Sequence, residues 1–271
     1  MIISRITKQK KNQNRYNIFV KKNNEEAFAS GVHEDILIRF ALRKGMELND
    51  EELQSIQQQD AIYKYYTLTL NFLSYRMRAK SEIITYLQDK EAEEEEIAHV
   101  LKKLEDEKLI DDEAFAEAYT RTKMNTSSKG PNVIRRELME KKIPQNYIDE
   151  ALAGYSKEIE VEKLTSLLEK KMSSNNRKSF NQQLNQAKQS MLQKGFNMDS
   201  IQLAIEEISI EKDEDEEMEA VRFQGEKAWR KHERKHEGFQ LKQHVKASLF
   251  QKGFPGDLIQ QFIEEKEEEE V

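Results

Sequence analysis

The sequence predicts a mainly α-helical protein: tandem three-helix repeats in an elongated, curved array, preceded by a small antiparallel β-sheet with accompanying helices. Three observations carry this. Charged residues make up 35% of 271 positions while Gly (9) and Pro (3) are scarce, which favours long helices with polar faces over turn-rich sheets. Beyond about residue 60 one apolar pattern returns at intervals of 51, 53 and 58 residues. The first 32 or so residues instead alternate between apolar and polar side chains. Only 37% of the chain is hydrophobic, so the core is expected to be thin.

In chain order, Ile2 to Thr7, the alternating Tyr16, Ile18 and Val20, and Ala27 to Val32 predict three short strands across Lys/Asn/Gln connectors. Ile36, Leu37, Phe40 and Ala41 then adopt helical spacing between Glu34 and Leu42. Gly45 is placed to close that helix in a left-handed cap. Asn49 or Asp50 can cap a further helix bearing Leu53 and Ile56.

The repeats align on Lys90, Lys141, Lys194 and Lys252. Three residues before each stands Leu87, Leu138, Met191 or Leu249, and seven before stands Ile83, Ile134, Ala187 or Val245. Each pair is spaced i, i+4 and so shares one helix face. Seven residues after each Lys come Ile97, Ile148, Ile201 and Ile259, followed four later by Leu101, Leu152, Ile205 and Ile263, which predicts a second helix. Gly195 and Gly253 can end the first helix, and Pro144 and Pro255 suit the start of the second. An apolar helix lies upstream in every unit: Leu68, Leu70, Phe72 and Leu73; Phe115, Ala116 and Tyr119; Leu164, Leu167 and Leu168; Ala220, Phe223 and Trp229. The expected divisions are an N-terminal extension over 1–58, repeats over 61–108, 109–156, 157–210 and 216–266, and an acidic tail over 267–271. Such arrays present repeated faces to an extended partner; a rod without such a target is the alternative.

Net charge is −7, but the acids are grouped. Residues 91–96 hold five, 211–219 seven and 264–270 six, and the remainder of the chain holds 42 bases against 33 acids. Solvated faces, linkers and a tail are the plain reading of these runs; repulsion that confines a polyanion to the basic remainder is the other. Residues 1–22 carry seven bases and no acid. The longest uncharged stretch, Tyr65 to Tyr75, has 11 residues, too few for a membrane span. Arg5, Lys8, Lys10 and Lys11 break up any apolar export signal, and the absence of Cys removes disulfides, thiol nucleophiles and thiolate metal sites. A cytoplasmic monomer is expected.

No residue set argues for an enzyme. His232-Glu233-Arg234-Lys235-His236 has the form of a zinc-protease helix, yet its intervening cations need solvent and repel Zn²⁺. Phe239 and Lys242 stand where a closely spaced third ligand belongs, so an exposed basic helix is expected, with no metal or other cofactor. Asp111-Asp112-Glu113 directly precedes a helix and is read as its cap rather than a metal site. The candidate partner-binding set is Arg76, Arg78, Lys80, Arg121, Lys123, Lys129, Arg135 and Arg136, at helix starts and connectors of the first two repeats. Arg suits carboxylate or phosphate recognition, while a solvated basic face is the alternative. Tyr63, Tyr65, Tyr66 and Tyr75 can stack on bases, though several belong in the core at that spacing.

The run Arg76-Met77-Arg78-Ala79-Lys80-Ser81-Glu82, the step Leu109-Ile110-Asp111-Asp112-Glu113-Ala114-Phe115-Ala116, Lys129-Gly130-Pro131, Arg135, Glu137-Leu138 and Lys141-Lys142-Ile143 together resemble the RecX family of recombination regulators. The resemblance spans about 61–266. Arg15 to Val20 and His33 to Ile38 look like the extension of its longer members. Lys142 stands where the family pattern has Gly, and Ala79-Lys80 interrupts its Arg-Ser step, so a differently capped first turn is expected. The resemblance implies a regulator that binds the RecA recombinase, above all its filament on single-stranded DNA. It implies inhibition of ATPase and strand exchange, and hence restraint of recombination, DNA repair and the SOS response, with direct DNA contact as an accompanying expectation. A single-strand-binding module acting through the basic surface is the alternative. Units one and two are expected to hold the contact: Ala at Arg135 and Arg136 should weaken filament binding, and deletion of 264–271 should strengthen it.

Overall fold

The computed structural model describes residues 1–22, 25–173, 177–208 and 214–269. The start of the 211–219 acidic run and the last residues of the 264–270 run and of the 267–271 tail lie outside them. Thirteen helices and three strands are found among the described residues. They pack as two compact units, one of residues 1–115 with 141–144 and one of 116–140 with 145–271.

In the first unit, β1 (Ile2–Lys8), β2 (Arg15–Lys22) and β3 (Glu25–His33) form the predicted antiparallel sheet with β2 central. Ile3 pairs with Val20 and Ile6 with Ile18, and a register shift sits between Ile3 and Arg5. Alternation buries Ile3, Ile18, Val20 and Val32 against Ile36, Leu42, Leu48 and Ile56. Phe19 faces the other way, under the Arg5 guanidinium at 4.2 Å. Helix α1 (Glu34–Arg39) follows. The position that turns left-handed after it is Ala41 (φ 50), not Gly45. Gly45 (φ 87) serves a later turn, where its N–H donates to the Ile3 carbonyl at 2.8 Å and so ties the loop to the sheet.

Asn49 caps α2 (Asp50–Leu73) in a reciprocal box: its side chain accepts from the Glu52 N–H at 2.7 Å, and Glu52 accepts from the Asn49 N–H at 2.8 Å. This 24-residue helix runs unbroken across the expected boundary between extension and first repeat. Buried Asp60 fastens it to the sheet, accepting from Arg15 at 2.5 Å and from the His33 N–H at 2.7 Å.

The repeats follow as α2, α3 (Lys80–Gln88) and α4 (Glu94–Asp106); α5 (Asp112–Thr126), α6 (Pro131–Glu140) and α7 (Gln145–Ala153); α8 (Lys157–Met172), α9 (Phe180–Gln193) and α10 (Met198–Glu207); α11 (Glu214–His232), α12 (Gly238–Gln251) and α13 (Gly256–Glu269). Leu87, Leu138, Met191 and Leu249 are each at most 1% exposed, and Ile83, Ile134, Ala187 and Val245 are fully buried, as the periodicity requires. Burial of each larger side chain contributes about 1.5 to 3 kcal/mol. Pro144 and Pro255 stand immediately before α7 and α13 rather than at their first helical residues. No helix among the described residues is long and apolar enough to cross a membrane.

The residue after each aligned Lys adopts a left-handed conformation in all four repeats: Glu91 (φ 63), Lys142 (φ 58), Gly195 (φ 86) and Gly253 (φ 80). The turn geometry is therefore retained where the Gly is lost, at a backbone cost of about 1 kcal/mol. Lys142→Gly is expected to raise stability by about 0.5 kcal/mol, the relief of strain being partly offset by glycine's greater unfolded-state entropy. A shift in the urea midpoint at constant slope checks this.

The carbonyl of the aligned Lys is also where successive repeats are joined. Ser81 Oγ donates to the Lys141 carbonyl, the Gly130 N–H to that of Lys194 at 2.8 Å, and Ser179 Oγ to that of Lys252. Each donor lies at or just before the start of the second helix of the preceding repeat. An acid from the following repeat caps two of those same helices: Asp112 accepts from the Lys80 N–H at 2.9 Å and Glu217 from the Phe180 N–H at 2.8 Å.

Candidate partner-binding surface

The structure sorts the eight candidate cations by what they already hold. In the first unit, Arg76 forks onto Glu82, with its two terminal nitrogens at 3.2 and 2.8 Å from the carboxylate. Glu82 also accepts from Lys141 Nζ at 2.9 Å and from the Ala79 N–H at 3.1 Å. Ala79 has no side chain to cap α3, so Glu82, reaching back from the first turn, and Asp112 cap it instead, which is the different capping the sequence suggested. Arg78 lies over the Phe72 ring at 3.9 Å, and Lys80 pairs with Glu105. All three side chains are engaged in building the first unit.

Burial alone would raise the Glu82 carboxyl, but hydrogen bonds from Arg76, Lys141 and Ala79 outweigh it and hold the pKa down at about 2. A depressed carboxylate contributes stability above its unfolded pKa, near 4.5, and loses it as pH falls toward the folded value. Wild type is thus expected to exceed Glu82→Gln in stability by on the order of 2 kcal/mol at pH 6, allowing for solvent screening, with the difference closing between about pH 5 and pH 2. Urea titrations of both proteins across that range measure it.

In the second unit, Glu137 on α6 gathers Lys129, the Tyr119 hydroxyl at 3.0 Å and the field of Lys123. Burial pushes its carboxyl up, while the hydrogen bonds from Lys129 and Tyr119 and the charges of Lys129 and Lys123 hold it below the usual range. Lys123 itself sits 5.2 Å over the Tyr119 ring. Arg135 pairs with Asp149, whose carboxyl it holds down. Arg121 and Arg136 differ from the rest: both are exposed, neither makes an ion pair or hydrogen bond with a described side chain, and unlike Arg78 and Lys123 neither lies on an aromatic ring. Of the eight, these two guanidinium groups are open to recognise carboxylate or phosphate without first breaking a bond.

Among the aromatics, Tyr65 is buried beneath the Lys90–Glu91 turn, its hydroxyl 3.3 Å from the Glu91 carbonyl. Tyr63 donates to Asp35 and packs against His33, with ring centres 4.5 Å apart. Tyr66 donates to Glu107 under Lys103, and burial and that carboxylate push its hydroxyl up to about 12. Only Tyr75 of the four remains exposed, which removes most of a stacking platform.

The Asp111 reading as a cap is confirmed, its carboxylate accepting from the Glu113 and Ala114 N–H groups at 2.9 and 3.0 Å. The acidic runs are partly structural. Glu217 is buried as a cap, Glu265 is held by Arg222 at 2.7 Å, and Glu267 of α13 is held by Lys242 of α12. Deleting 264–271 would therefore also break helix contacts, so it does not isolate charge. Sequence reasoning missed Glu160, which is 3% exposed and accepts from the Asn197 N–H and from Ser200 Oγ, both at 2.8 Å.

Family comparisons cover nearly the whole chain. "Regulatory protein RecX N-terminal domain" matches residues 1–49, and the first, second and third "RecX three-helix" domains match 66–104, 111–152, and both 158–205 and 214–263. A "Regulatory protein RecX" of Oceanobacillus iheyensis is 44% identical over 269 residues, covering 99% of each chain. That of Halalkalibacterium halodurans is 40% identical, covering 97% of this chain and 98% of its own. A crystal structure of regulatory protein RecX matches with a TM-score of 0.65 at 34% identity, covering 76% of this chain and 98% of that one. One of RecX from Lactobacillus salivarius matches at 0.54 and 39% identity, over 56% and 99%.

Proposed function

The chain belongs to the RecX family of regulatory proteins, and from that premise we propose that it is a non-enzymatic, cytoplasmic inhibitor of the RecA recombinase. It binds, as a monomer, the filament RecA forms on single-stranded DNA and lowers both ATP hydrolysis and strand exchange. The observation that carries this reading is the joining of successive repeats at one shared acceptor, the carbonyl of the aligned lysine, which suits a partner made of repeating protomers. The uncommitted Arg121 and Arg136 in the second repeat add groups suited to acidic protein surface or DNA backbone.

Co-sedimentation with preassembled RecA filament, together with ATPase and strand-exchange assays, tests it. Filament binding with inhibition of both activities is the expected result. No binding and unchanged activities would overturn it. Equal affinity for naked single-stranded DNA, falling steeply with salt, would replace it with the single-strand-binding alternative.

A further inference from the structure

The HExxH string does not lie on one helix. Helix α11 ends at His232, and the chain turns through Glu233 to Lys235. The His236 N–H still donates to the His232 carbonyl at 3.0 Å, which carries helical spacing one step past the end. Gly238 (φ 52) then redirects the chain into α12, whose second turn brings up His244. The absence of a third ligand at short spacing argued against metal in the sequence, yet the third imidazole arrives from the next helix, eight residues after His236.

Ligand nitrogens of His232, His236 and His244 all lie within 4.8 Å of one another. The ring centres are 6.3 Å apart for His232 and His236, 5.4 Å for His232 and His244, and 4.1 Å for His236 and His244. None of the three makes an ion pair or hydrogen bond through its ring with a described residue, so each has a nitrogen to offer. Beneath them the packing is firm: Ala228 and Trp229 of α11 bury against Leu241 and Val245 of α12.

We propose that His232, His236 and His244 bind one divalent transition-metal ion of the zinc class, clipping the end of α11 to α12. Three imidazoles without a carboxylate suit zinc, copper or nickel and disfavour magnesium and calcium, which take oxygen ligands. Tetrahedral zinc with Zn–N near 2.0 to 2.1 Å needs ligand atoms about 3.3 Å apart, so no pair of ligand nitrogens needs to draw in by more than about 1.5 Å. His232 and His236 are partly exposed and His244 exposed, which leaves room for that rotation. Lys231 and Lys235 stand close to His232 in the chain. The same cations weaken the attraction for the ion, so the role is a structural clip of moderate affinity, independent of the RecA reading.

Titration of the full chain with zinc sulfate at pH 7.5, beside magnesium chloride, tests the site calorimetrically and by thermal melting. One equivalent of zinc, no magnesium binding and a zinc-dependent rise in melting temperature are expected. His244→Ala and His236→Ala should each weaken zinc at least tenfold and remove the rise, with apo helicity unchanged. His99→Ala, on α4 of the first unit, should do neither. Absence of zinc binding, or binding unchanged in both His244→Ala and His236→Ala, or equal loss in His99→Ala, overturns the proposal.

Discussion

Alanine at Gly195 is expected to destabilise the second unit by at least about 3 kcal/mol and to lower its melting temperature by roughly 6 to 12 °C. Two independent costs combine. Gly195 holds φ at +86°, where a Cβ is strained, and that Cβ would lie 2.5 Å from the Val133 backbone nitrogen and 2.7 Å from Val133 Cγ2. The neighbour cannot yield cheaply, since Gly130 is packed against the same turn: a Cβ there would meet the Gly195 carbonyl atoms at 2.5 Å. The Asn132 N–H donates to the Gly195 carbonyl at 3.0 Å, beside the Gly130 bond to Lys194. Hydrogen exchange should therefore show the Gly130 and Asn132 amides losing protection first, while β1 to β3 keep theirs. Gly256→Ala is the control, because nothing lies within 4 Å of its added carbon, and it should stay within about 0.5 kcal/mol of wild type. A Gly195→Ala protein as stable as that control would refute the close approach.

The second large effect concerns binding. Joint replacement of Arg121 and Arg136 by Ala is expected to weaken filament binding at least tenfold, or about 1.4 kcal/mol, and to flatten its salt dependence. Because neither guanidinium supports the fold, helicity and melting should stay near wild type. Arg76→Ala should behave oppositely, lowering stability by freeing one side of buried-edge Glu82 before it alters binding. The pair Arg135 and Arg136, singled out from sequence, is a less clean test, since loss of Arg135 also strands Asp149. Filament affinities measured across a salt series, alongside thermal melts, separate these cases. Wild-type affinity for the Arg121/Arg136 variant at every salt concentration would remove this surface from the contact.

The repeats were legible because their signal is apolar and periodic: a residue that must be buried in every unit, such as Leu87 or Met191, leaves the same mark each time. The sheet was legible for the same reason at period two. Positions that turn on backbone geometry were less so. Ala41 and Lys142 take left-handed conformations that composition does not advertise, while Gly45, which does, is used elsewhere. The candidate surface was legible as charge but not as availability, because pairing of Arg76 with Glu82 or Arg135 with Asp149 depends on which faces meet. Glu160 and Glu217 read as ordinary surface acids, although each is buried as the acceptor for another helix's exposed amides. Spacing that follows metal ligands along one helix could not find His244, which reaches the cluster from the next one.

In each of the three joints, at Lys141, Lys194 and Lys252, the acceptor is a main-chain carbonyl, which every amino acid carries. The socket is consequently blind to side-chain identity, and only the plug is chosen, as a serine hydroxyl twice and a glycine amide once. Drift at the acceptor positions leaves these three bonds in place provided the turn keeps its shape, while the Lys141 side chain on Glu82 and the close approach of Gly195 to Val133 tie those two joints to their neighbours' side chains. Excising the residues between two aligned lysines would leave one plug facing an equivalent socket, so such a chain should gain or lose length in whole repeats more readily than in parts of one.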